Sequence, residues 1–258
     1  MAEETRAAAV TARQGRRAAG GGRGRVRSAV LWDAVLARVT AEGPRDVVDV
    51  GGGTGGFAVP LAERGHRVTV VDANPDALAA LERRAAEAGV VVRAVQGDAV
   101  DLPGLLGPAT ADLVLCHNVL EFVDDPAAAM AALTAALRPG GTLSVLAAGR
   151  LGAVLARALG GHFADARAAL ADPSGRYGAQ DRMPRRFTRE SLAELAAGAG
   201  LRDVALQGVR IFADLVPSGL TDGDAESAEA LLALEAAAAV HPVLRDLAAQ
   251  LHLLADRP

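Results

Sequence analysis

Cysteine is almost absent from the sequence. Cys116 is the only one, so an internal disulfide framework and a multi-cysteine metal site are both excluded. No apolar stretch reaches the roughly 18 residues that a membrane-spanning helix needs. Glu3, Glu4 and Arg6 occupy the positions where the apolar core of a secretory signal would begin. We therefore expect a cytoplasmic protein with no membrane partner and no bound metal.

Lysine is missing altogether, and aromatic residues make up only 3% of the 258 residues. The basic charge comes entirely from arginine. The formal net charge of −4 excludes a uniformly basic nucleic-acid binder but leaves room for a local basic groove. With so few aromatic residues, the core must be built from alanine, valine and leucine. A chain of this length can bury such a core within one domain.

The first 24 residues differ from the rest of the chain, because they scatter arginines among alanine and glycine. Residues 20–22 are consecutive glycines, which disfavour a helix, and we predict a disordered basic arm over residues 1–24. Such an arm is either a solvated tail without a role or a contact to phosphates. Residues 25–258 are predicted to form one domain, with an insertion at about residues 150–187.

Short β-branched runs alternate with helical stretches from Ser28 onward, where the serine is suited to cap the first helix. Asn74 and Asp125 each precede a proline and predict further helix starts, and Thr188 predicts another. Strands are predicted at residues 47–50, 68–71, 90–95, 113–116, 142–146, 202–212 and 247–254. Because the first five are continuous apolar runs separated by helices, they indicate an α/β fold. Its seven-stranded, mostly parallel sheet carries helices on both faces.

A glycine-rich turn follows the first predicted strand. Gly51, Gly53 and Gly56 have the G-x-G-x-x-G spacing, and Asp72 ends the next strand about twenty residues later. Such a turn exposes backbone to a ligand, and a carboxylate at the end of the second strand can accept hydrogen bonds from both ribose hydroxyls. Alternatively, the intervening glycines serve only turn geometry. The spacing indicates an adenosine-carrying ligand and does not by itself distinguish a nicotinamide dinucleotide from other nucleotides.

Two further carboxylates favour a ligand with an amino-acid moiety. Asp49 lies in an otherwise apolar strand, where an ionised carboxylate is expensive unless a cation or a hydrogen-bond donor meets it. The ammonium of a bound amino-acid moiety is such a cation. Asp98 closes the third strand, where it can accept a hydrogen bond from an adenine amino group. The competing interpretation is that Asp72 and Asp98 only cap helices.

Together, residues 49–55 (DVGGGTG), Asp72, residues 97–98 (GD) and residues 137–141 (LRPGG) resemble the class I methyltransferases that use S-adenosylmethionine. The resemblance implies a Rossmann-like fold, S-adenosyl-L-methionine as the cofactor and methyl transfer as the activity. It favours this cofactor over NAD. In such an open α/β sheet, the ligand lies at the carboxyl ends of the strands.

Four other segments resemble one bacterial family within this class, the tRNA 5-carboxymethoxyuridine methyltransferases, which esterify the carboxylate of a wobble-position uridine. The segments are residues 25–32 (RVRSAVLW), 117–122 (HNVLEF), 208–214 (GVRIFAD) and 230–235 (ALLALE). The resemblance implies tRNA as the partner and cofactor contacts by Arg27, Gly51, Gly52, Asp72, Asp98, Ala99 and His117. Asp49 and Gly53 complete the predicted cofactor-binding set. The alternatives are that Arg27 is an ordinary surface arginine and that His117 is a core histidine.

A carboxylate acceptor is ionised at neutral pH, so its methylation needs no general base. Catalysis then consists of aligning the nucleophile, the methyl carbon and the sulfur. We expect an arginine to bind the acidic acceptor, because a guanidinium offers a bidentate fork. Arg210, which interrupts an apolar strand between Val209 and Ile211, is the first candidate for this catalytic role, and Arg185 is the second.

The insertion is the candidate surface for RNA. Its arginines can form a basic rim, composed of Arg176, Arg182, Arg185, Arg186 and Arg189. The other interpretation of these arginines is a solvated face, and the only aromatic residues among them for stacking on bases are Tyr177 and Phe187. The alternatives to a tRNA enzyme are a methyltransferase with a small-molecule acceptor, a cofactor-binding protein without transfer activity and an NAD-dependent reductase. The sequence does not indicate an oligomeric state.

Overall fold

A computed structural model describes residues 22–39, 43–220 and 224–258. The α-helices within them are α1 (Gly22–Val39), α2 (Ala58–Glu63), α3 (Pro75–Glu87), α4 (Leu102–Leu106), α5 (Pro126–Ala136), α6 (Arg150–Leu159), α7 (Phe163–Ala171), α8 (Arg189–Gly198) and α9 (Ala225–Ala239). The strands are β1 (Asp46–Val50), β2 (Arg67–Asp72), β3 (Val92–Gln96), β4 (Ala111–His117), β5 (Leu137–Ala148), β6 (Arg202–Val209) and β7 (Gln250–Asp256). Of the predicted arm, residues 1–21 lie outside the described residues.

The strands form one seven-stranded sheet in the order β3-β2-β1-β4-β5-β7-β6. Strands β1 to β5 run parallel to one another, whereas β7 is antiparallel to both β5 and β6. The predicted mostly parallel sheet is therefore confirmed. Because β1 lies between β2 and β4, the strand order reverses at β1, and such a switch point opens a crevice at the carboxyl ends of the strands.

The predicted starts of three helices are confirmed by their caps. The side chain of Asn74 accepts a hydrogen bond from the Asp76 backbone N–H at 2.9 Å, which leaves Pro75 as the first residue of α3. The side chain of Asp125 likewise accepts a hydrogen bond from the Ala127 backbone N–H at 2.9 Å at the start of α5. The Thr188 hydroxyl accepts from the Ser191 N–H at 3.2 Å at the start of α8. In each case a short polar side chain satisfies backbone donors that have no partner within the helix.

The first helix and the sixth strand have other boundaries than predicted. Helix α1 already begins at Gly22, so Ser28 lies inside it rather than at its cap, and residues 22–24 of the predicted arm are helical. Alanine and leucine further along the helix, together with burial of its apolar face, outweigh the unfavourable glycines. Strand β6 ends at Val209 instead of residue 212, because Arg210 has a φ of +62° and turns the chain out of the sheet.

Apolar side chains cover both faces of the sheet. On one face, Met130 of α5 and Leu192 of α8 pack against a cluster that includes Cys116. On the other face, Leu31 of α1 and Leu61 of α2 join the second cluster. Burial raises the pKa of the Cys116 thiol, so the thiol stays protonated within the core. Among the residues that the structure describes, no helix is long and apolar enough to cross a membrane.

Candidate active site

The carboxyl ends of β1, β2, β3 and β4 meet at one edge of the sheet. The register pairs Val50 of β1 with both Val71 of β2 and Cys116 of β4, so the residues that follow each strand are neighbours in space. They enclose a cleft of about 250 Å³. Its lining consists of Val50, Gly51, Val71, Asp72, Ala73, Gly97, Asp98, Ala99, Val119, Phe122 and Val123. Four of the predicted cofactor residues therefore line one cleft: Gly51, Asp72, Asp98 and Ala99.

The glycine loop after β1 requires glycine at particular positions. Gly51 has a φ of +67°, and a Cβ on it would lie 2.3 Å from a methyl group of Val119. A Cβ on Gly52 would lie 2.6 Å from a carboxylate oxygen of Asp49. Gly55 has a φ of +82° and packs against Leu81, whereas a Cβ on Gly56 would meet open space. The loop thus depends on Gly51, Gly52 and Gly55 rather than on the last glycine of the dinucleotide spacing.

The side chain of Asp72 holds this loop at the end of β2 by hydrogen bonds. One of its carboxylate oxygens accepts a hydrogen bond from the Gly53 N–H at 2.8 Å, and the other accepts from the Asn74 N–H at 2.9 Å. Each oxygen has a second lone pair, so the carboxylate can still accept hydrogen bonds from a ligand in the cleft. Asp72 is thereby oriented by the loop and can bind a pair of vicinal hydroxyls.

Asp49 is the one buried acid next to the loop. Asp49 is only 3% exposed, in strand β1, which ends at Val50 directly before Gly51. Burial, together with the nearby carboxylate of Asp72, raises the pKa of Asp49 to about 7. A cation bound beside these two carboxylates would lower this pKa and favour the ionised form. The site is therefore suited to a ligand that carries a positive charge.

Because ionising the buried Asp49 carboxyl is unfavourable, the stability of the ligand-free protein should depend on pH. Asp49 keeps its proton in the folded state up to about pH 7 but loses it near the ordinary pKa of 3.8 when unfolded. The free energy of unfolding should therefore fall as pH rises between these values. We expect Asp49→Asn to remove this decrease and to make the protein more stable than wild type at alkaline pH.

Urea unfolding of both proteins at about pH 4 and about pH 8 measures this difference. The exposed Asp33→Asn variant is the control, and its stability should follow that of the wild type. Equal stability of Asp49→Asn and wild type at the higher pH would show that Asp49 is not a strained buried carboxyl.

Asp98 and Ala99 begin a single 3-10 turn (Ala99–Asp101) after β3. The Asp98 N–H donates to a carboxylate oxygen of Asp101 at 3.3 Å, and the Asp98 side chain is exposed at the rim of the cleft. Ala99 is buried beneath it. Asp98 therefore starts a helical turn, as the competing interpretation proposed, and at the same time lines the cleft.

His117 ends β4 beside the glycine loop. Its Nε2 lies 2.9 Å from the hydroxyl of Ser144, and burial lowers the pKa of the imidazole to about 3, so the ring is neutral. The ring meets Phe57 edge-on at 4.9 Å, and Phe57 stacks on Trp32 at 4.3 Å between ring centroids. Trp32 thus covers the aromatic residue that follows the glycine loop. The side chain of Arg27 lies outside the described residues.

The two arginines predicted to bind the acceptor occupy different environments. Arg185 uses its guanidinium to bind the backbone carbonyls of Leu120, Val123 and Asp124, and so it braces the loop after β4. Arg210 follows β6 and is partly exposed.

The guanidinium of Arg210 pairs with Asp214 and donates to Gln250 at 3.2 Å. Gln250 in turn donates to Asn118, the residue after β4. The Nε–H of Arg210 is buried and has no hydrogen-bond partner among the described residues. These contacts place Arg210 at the same edge of the sheet as the end of β4.

The turn that carries Arg210 is held by a residue whose role the sequence analysis did not identify. Glu235 of α9 is 1% exposed. Its carboxylate accepts three consecutive backbone N–H groups, from Ile211 at 3.0 Å, Phe212 at 2.7 Å and Ala213 at 2.6 Å. The only available signal was a single acid in the apolar run 230–235, within one of the segments that carried the family resemblance.

Removing this carboxylate should destabilise the protein strongly. Glu235→Ala leaves three buried N–H donors without an acceptor, and we expect the free energy of unfolding to fall by about 3 kcal/mol or more. Glu235→Gln keeps one acceptor oxygen and should cost less. Glu194→Ala, an exposed glutamate within α8, should change stability by less than about 0.5 kcal/mol. Denaturant unfolding gives the free energy of unfolding of the three variants and of the wild type. Equal stabilities of Glu235→Ala and Glu194→Ala would contradict this account.

Four of the five arginines of the predicted basic rim are bonded within the protein, and the fifth, Arg182, is exposed. Arg186 forms a bidentate ion pair with Asp181 at 2.5 and 3.1 Å. Arg189 pairs with Asp246 at 3.2 Å and with Glu190 at 2.6 Å. Arg185 binds carbonyls as described above, and Arg176 donates to a carbonyl at 3.4 Å. The insertion therefore does not present these arginines as a free basic surface.

Two of the three aromatic residues of the insertion are covered, whereas the third, Phe163, is 71% exposed. Phe187 is only 5% exposed and belongs to the core. The ring of Tyr177 lies 3.8 Å below the guanidinium of Arg157, and Arg186 approaches it at 5.1 Å. Neither of these two rings is free to stack on a base, so Phe163 is the one aromatic ring of the insertion that an RNA could meet.

The comparison with known proteins assigns the chain to a family. A family model described as "Methyltransferase domain" matches residues 48–145. The tRNA 5-carboxymethoxyuridine methyltransferase of Escherichia coli K12 is 32% identical over 241 residues, which cover 92% of this chain and 90% of that enzyme. The chain belongs to this methyltransferase family. The methyltransferase uses S-adenosylmethionine as its cofactor.

Other relatives share the fold or a part of the sequence. The ubiquinone biosynthesis O-methyltransferase of Xanthomonas campestris (strain B100) is 35% identical over 136 residues, which cover 51% of this methyltransferase and 54% of that protein. Magnesium protoporphyrin IX methyltransferase from Synechocystis, solved with bound SAH, matches with a TM-score of 0.57 at 17% identity. The match covers 92% of this methyltransferase and 83% of that chain. These likenesses confirm the class I methyltransferase fold predicted from the sequence.

The residues of the cleft fit S-adenosylmethionine chemically. The glycine loop leaves room where a Cβ would enter, Asp49 is a buried carboxyl that a cation would stabilise, and Asp72 presents free lone pairs at the end of β2. Within the described ranges, no cluster of three or more potential metal ligands occurs. The methyltransferase thus has a loop and a carboxylate suited to a nucleoside, and a buried acid suited to the cation of the amino-acid moiety.

Proposed function

We propose that the methyltransferase transfers a methyl group to a carboxylate oxygen, and that its acceptor is a modified wobble uridine of tRNA. The observation that carries this proposal is the similarity to the Escherichia coli tRNA enzyme, which extends over 92% of the chain. The aligned region includes the turn with Arg210 and the part of α9 with Glu235. Both lie outside residues 48–145, which match the common methyltransferase domain. The acceptor side of the molecule is therefore similar, as well as the cofactor side.

The cofactor site that we propose uses the cleft residues in separate roles. Asp49 faces the ammonium of the methionyl moiety, Asp72 accepts hydrogen bonds from the ribose hydroxyls, and Asp98 accepts one from the adenine amino group. Backbone of Gly51, Gly52 and Gly53 lies against the amino-acid moiety, and Ala99 against the adenine. His117 donates a hydrogen bond from the end of β4, and Arg27 binds the methionyl carboxylate.

When bound, S-adenosylmethionine supplies an electrophilic methyl carbon next to a positive sulfur. The acceptor carboxylate is already ionised, so no residue has to remove a proton. An acceptor carboxylate oxygen would form the new bond to the methyl carbon as the carbon–sulfur bond breaks, and that bond's electron pair would remain on sulfur. The protein contributes alignment. We assign the binding of the acceptor carboxylate to Arg210, which still has a buried Nε–H to donate.

A small-molecule acceptor is the second candidate, and a specific observation favours it. Most arginines of the insertion are bonded within the protein, and two of its three aromatic rings are covered. A surface of this kind offers few contacts to an RNA loop. A compact acidic metabolite would need only the cleft and Arg210.

The acceptor can be identified without prior assumption. The protein is incubated with isotopically labelled S-adenosylmethionine and either total RNA or a metabolite extract, and mass spectrometry finds the molecule that gains a methyl group. We expect a methyl ester in a wobble uridine nucleoside of tRNA. Label in a metabolite alone would establish the second candidate. Label in neither fraction, or equal label with Asp72→Ala protein, would contradict methyl transfer at this cleft.

A further inference from the structure

A chain of four polar side chains crosses the face of the sheet beneath α1. It starts at His117, whose Nε2 lies 2.9 Å from the Ser144 hydroxyl. The same hydroxyl lies 2.8 Å from Nε2 of His252 on β7, and Nδ1 of His252 lies 2.9 Å from the side-chain nitrogen of Gln207 on β6. Ser144 and His252 are completely buried. These residues come from four different strands, so the chain exists only in the folded protein.

The amide of Gln207 determines the direction of every hydrogen bond in this chain. Its NH2 group can only donate, so Nδ1 of His252 accepts. Burial lowers the pKa of both histidines to about 3, and a neutral imidazole carries one proton. His252 therefore donates from Nε2 to the Ser144 oxygen. The Ser144 O–H has no other acceptor among the described residues, so it donates to Nε2 of His117 and leaves the proton of His117 on Nδ1.

This Nδ1–H has no acceptor in the part of the chain that the structure describes. The Nδ1 atom of His117 is buried and makes no hydrogen bond among the described residues. A buried donor without a partner is rare in native proteins and points to a group that is bound in the functional state. His117 follows Cys116, whose partner in the register is Val50, so the backbone of His117 lies beside Gly51 at the sheet edge where the cofactor cleft opens.

We propose that Ser144, His252 and Gln207 are positioning residues, which hold His117 in the Nδ1–H tautomer and so keep a donor ready for an oxygen of the bound cofactor. The identity of the ligand rests on the proposed function, whereas the tautomer does not. The hydrogen bonds of a ligating or catalytic histidine commonly fix its tautomer through its second nitrogen. In this methyltransferase the relay extends over three residues and ends at the half-buried Gln207.

Long-range ¹H–¹⁵N spectra of the imidazoles test the tautomer directly. The chain has five histidines, so single substitutions assign each signal. In the ligand-free wild type we expect His117 to carry its proton on Nδ1 and His252 on Nε2. Ser144→Ala should release His117 to the Nε2–H form that free imidazoles prefer. The exposed His162→Gln variant is the control and should leave both tautomers unchanged.

Gln207→Glu provides a nearly isosteric second variant. A carboxylate only accepts, so it should reverse the chain, with His252 donating from Nδ1 and His117 protonated on Nε2. Gln207 borders a cavity of about 480 Å³ between α1 and α9, so this substitution does not require the carboxylate to be sealed in the core. An Nε2–H tautomer of His117 in the wild type, or an unchanged tautomer in either variant, would overturn the proposal.

Calorimetric titration with S-adenosylhomocysteine tests the ligand. Ser144→Ala should bind it about fivefold to tenfold more weakly than wild type, since one hydrogen bond of the complex is weakened. The His162→Gln control should bind with wild-type affinity. Undiminished affinity of Ser144→Ala would overturn the proposed link to the cofactor. Absence of binding by the wild type would overturn the proposed function instead, and the ligand-free spectra would still report on the relay.

Discussion

Replacing Arg210 by alanine is expected to lower kcat/KM for methyl transfer by about 100-fold, because a charge-assisted hydrogen bond to the acceptor carboxylate is lost. The affinity for S-adenosylhomocysteine should remain within about twofold of wild type, since Arg210 belongs to the turn after β6 and does not line the cleft. Initial rates with the identified acceptor and calorimetric titration of the product measure the two quantities separately.

Two variants sharpen this prediction. Arg210→Lys keeps the positive charge but loses the planar fork, and it should recover only part of the activity. Arg182→Ala removes an exposed arginine of the insertion and should leave both quantities unchanged. If Arg210→Ala lost S-adenosylhomocysteine binding together with activity, Arg210 would belong to the cofactor site or to the structural support of the fold, and its assignment to the acceptor would be wrong.

Replacing Asp72 by alanine is expected to weaken S-adenosylhomocysteine binding by at least about 30-fold. The carboxylate is assigned two hydrogen bonds to the ribose hydroxyls, and hydrogen bonds to a charged group contribute about 1.5–3 kcal/mol each. The variant also loses the bond that ties the Gly53 N–H to β2 at 2.8 Å, so the loop is less well positioned. Calorimetric titration gives the dissociation constants of both proteins.

Controls separate binding from folding in this case. Glu82→Ala, which removes an exposed acid in the middle of α3, should bind like wild type. Thermal unfolding should show that the Asp72→Ala protein is folded at the temperature of the titration. An affinity within threefold of wild type would mean that the adenosine moiety does not meet Asp72, and the proposed orientation in the cleft would have to be abandoned.

Local signals were sufficient to predict most of the fold. The β-branched runs of the first five strands, and the caps Asn74, Asp125 and Thr188, depend on residues close together in sequence. The carboxylates Asp72 and Asp98 could be assigned to one edge because parallel strands present their carboxyl ends together. The same geometry predicted that Gly51 would lie next to them, as the structure shows.

Contacts between distant segments could not be predicted in the same way. Ser144 and His252 are 108 residues apart, and Glu235 lies 22 to 24 residues beyond the turn that it holds. Pairing of Arg186 with Asp181 is local, but composition alone does not show that a charge is already neutralised. The sequence ranked Arg210 above Arg185 because Arg210 interrupts an apolar run, but it did not show that the Arg185 guanidinium binds three backbone carbonyls.

The central claim is that an adenosine moiety lies across the carboxyl ends of β1 to β3, with an amino-acid cation beside Asp49. A crystal structure of the complex with S-adenosylhomocysteine tests this claim most directly. It should show the ribose hydroxyls within hydrogen-bond distance of Asp72, the adenine next to Asp98 and Ala99, and the ammonium facing Asp49. A ligand bound elsewhere, or one whose polar groups contact none of the three aspartates, would contradict the account.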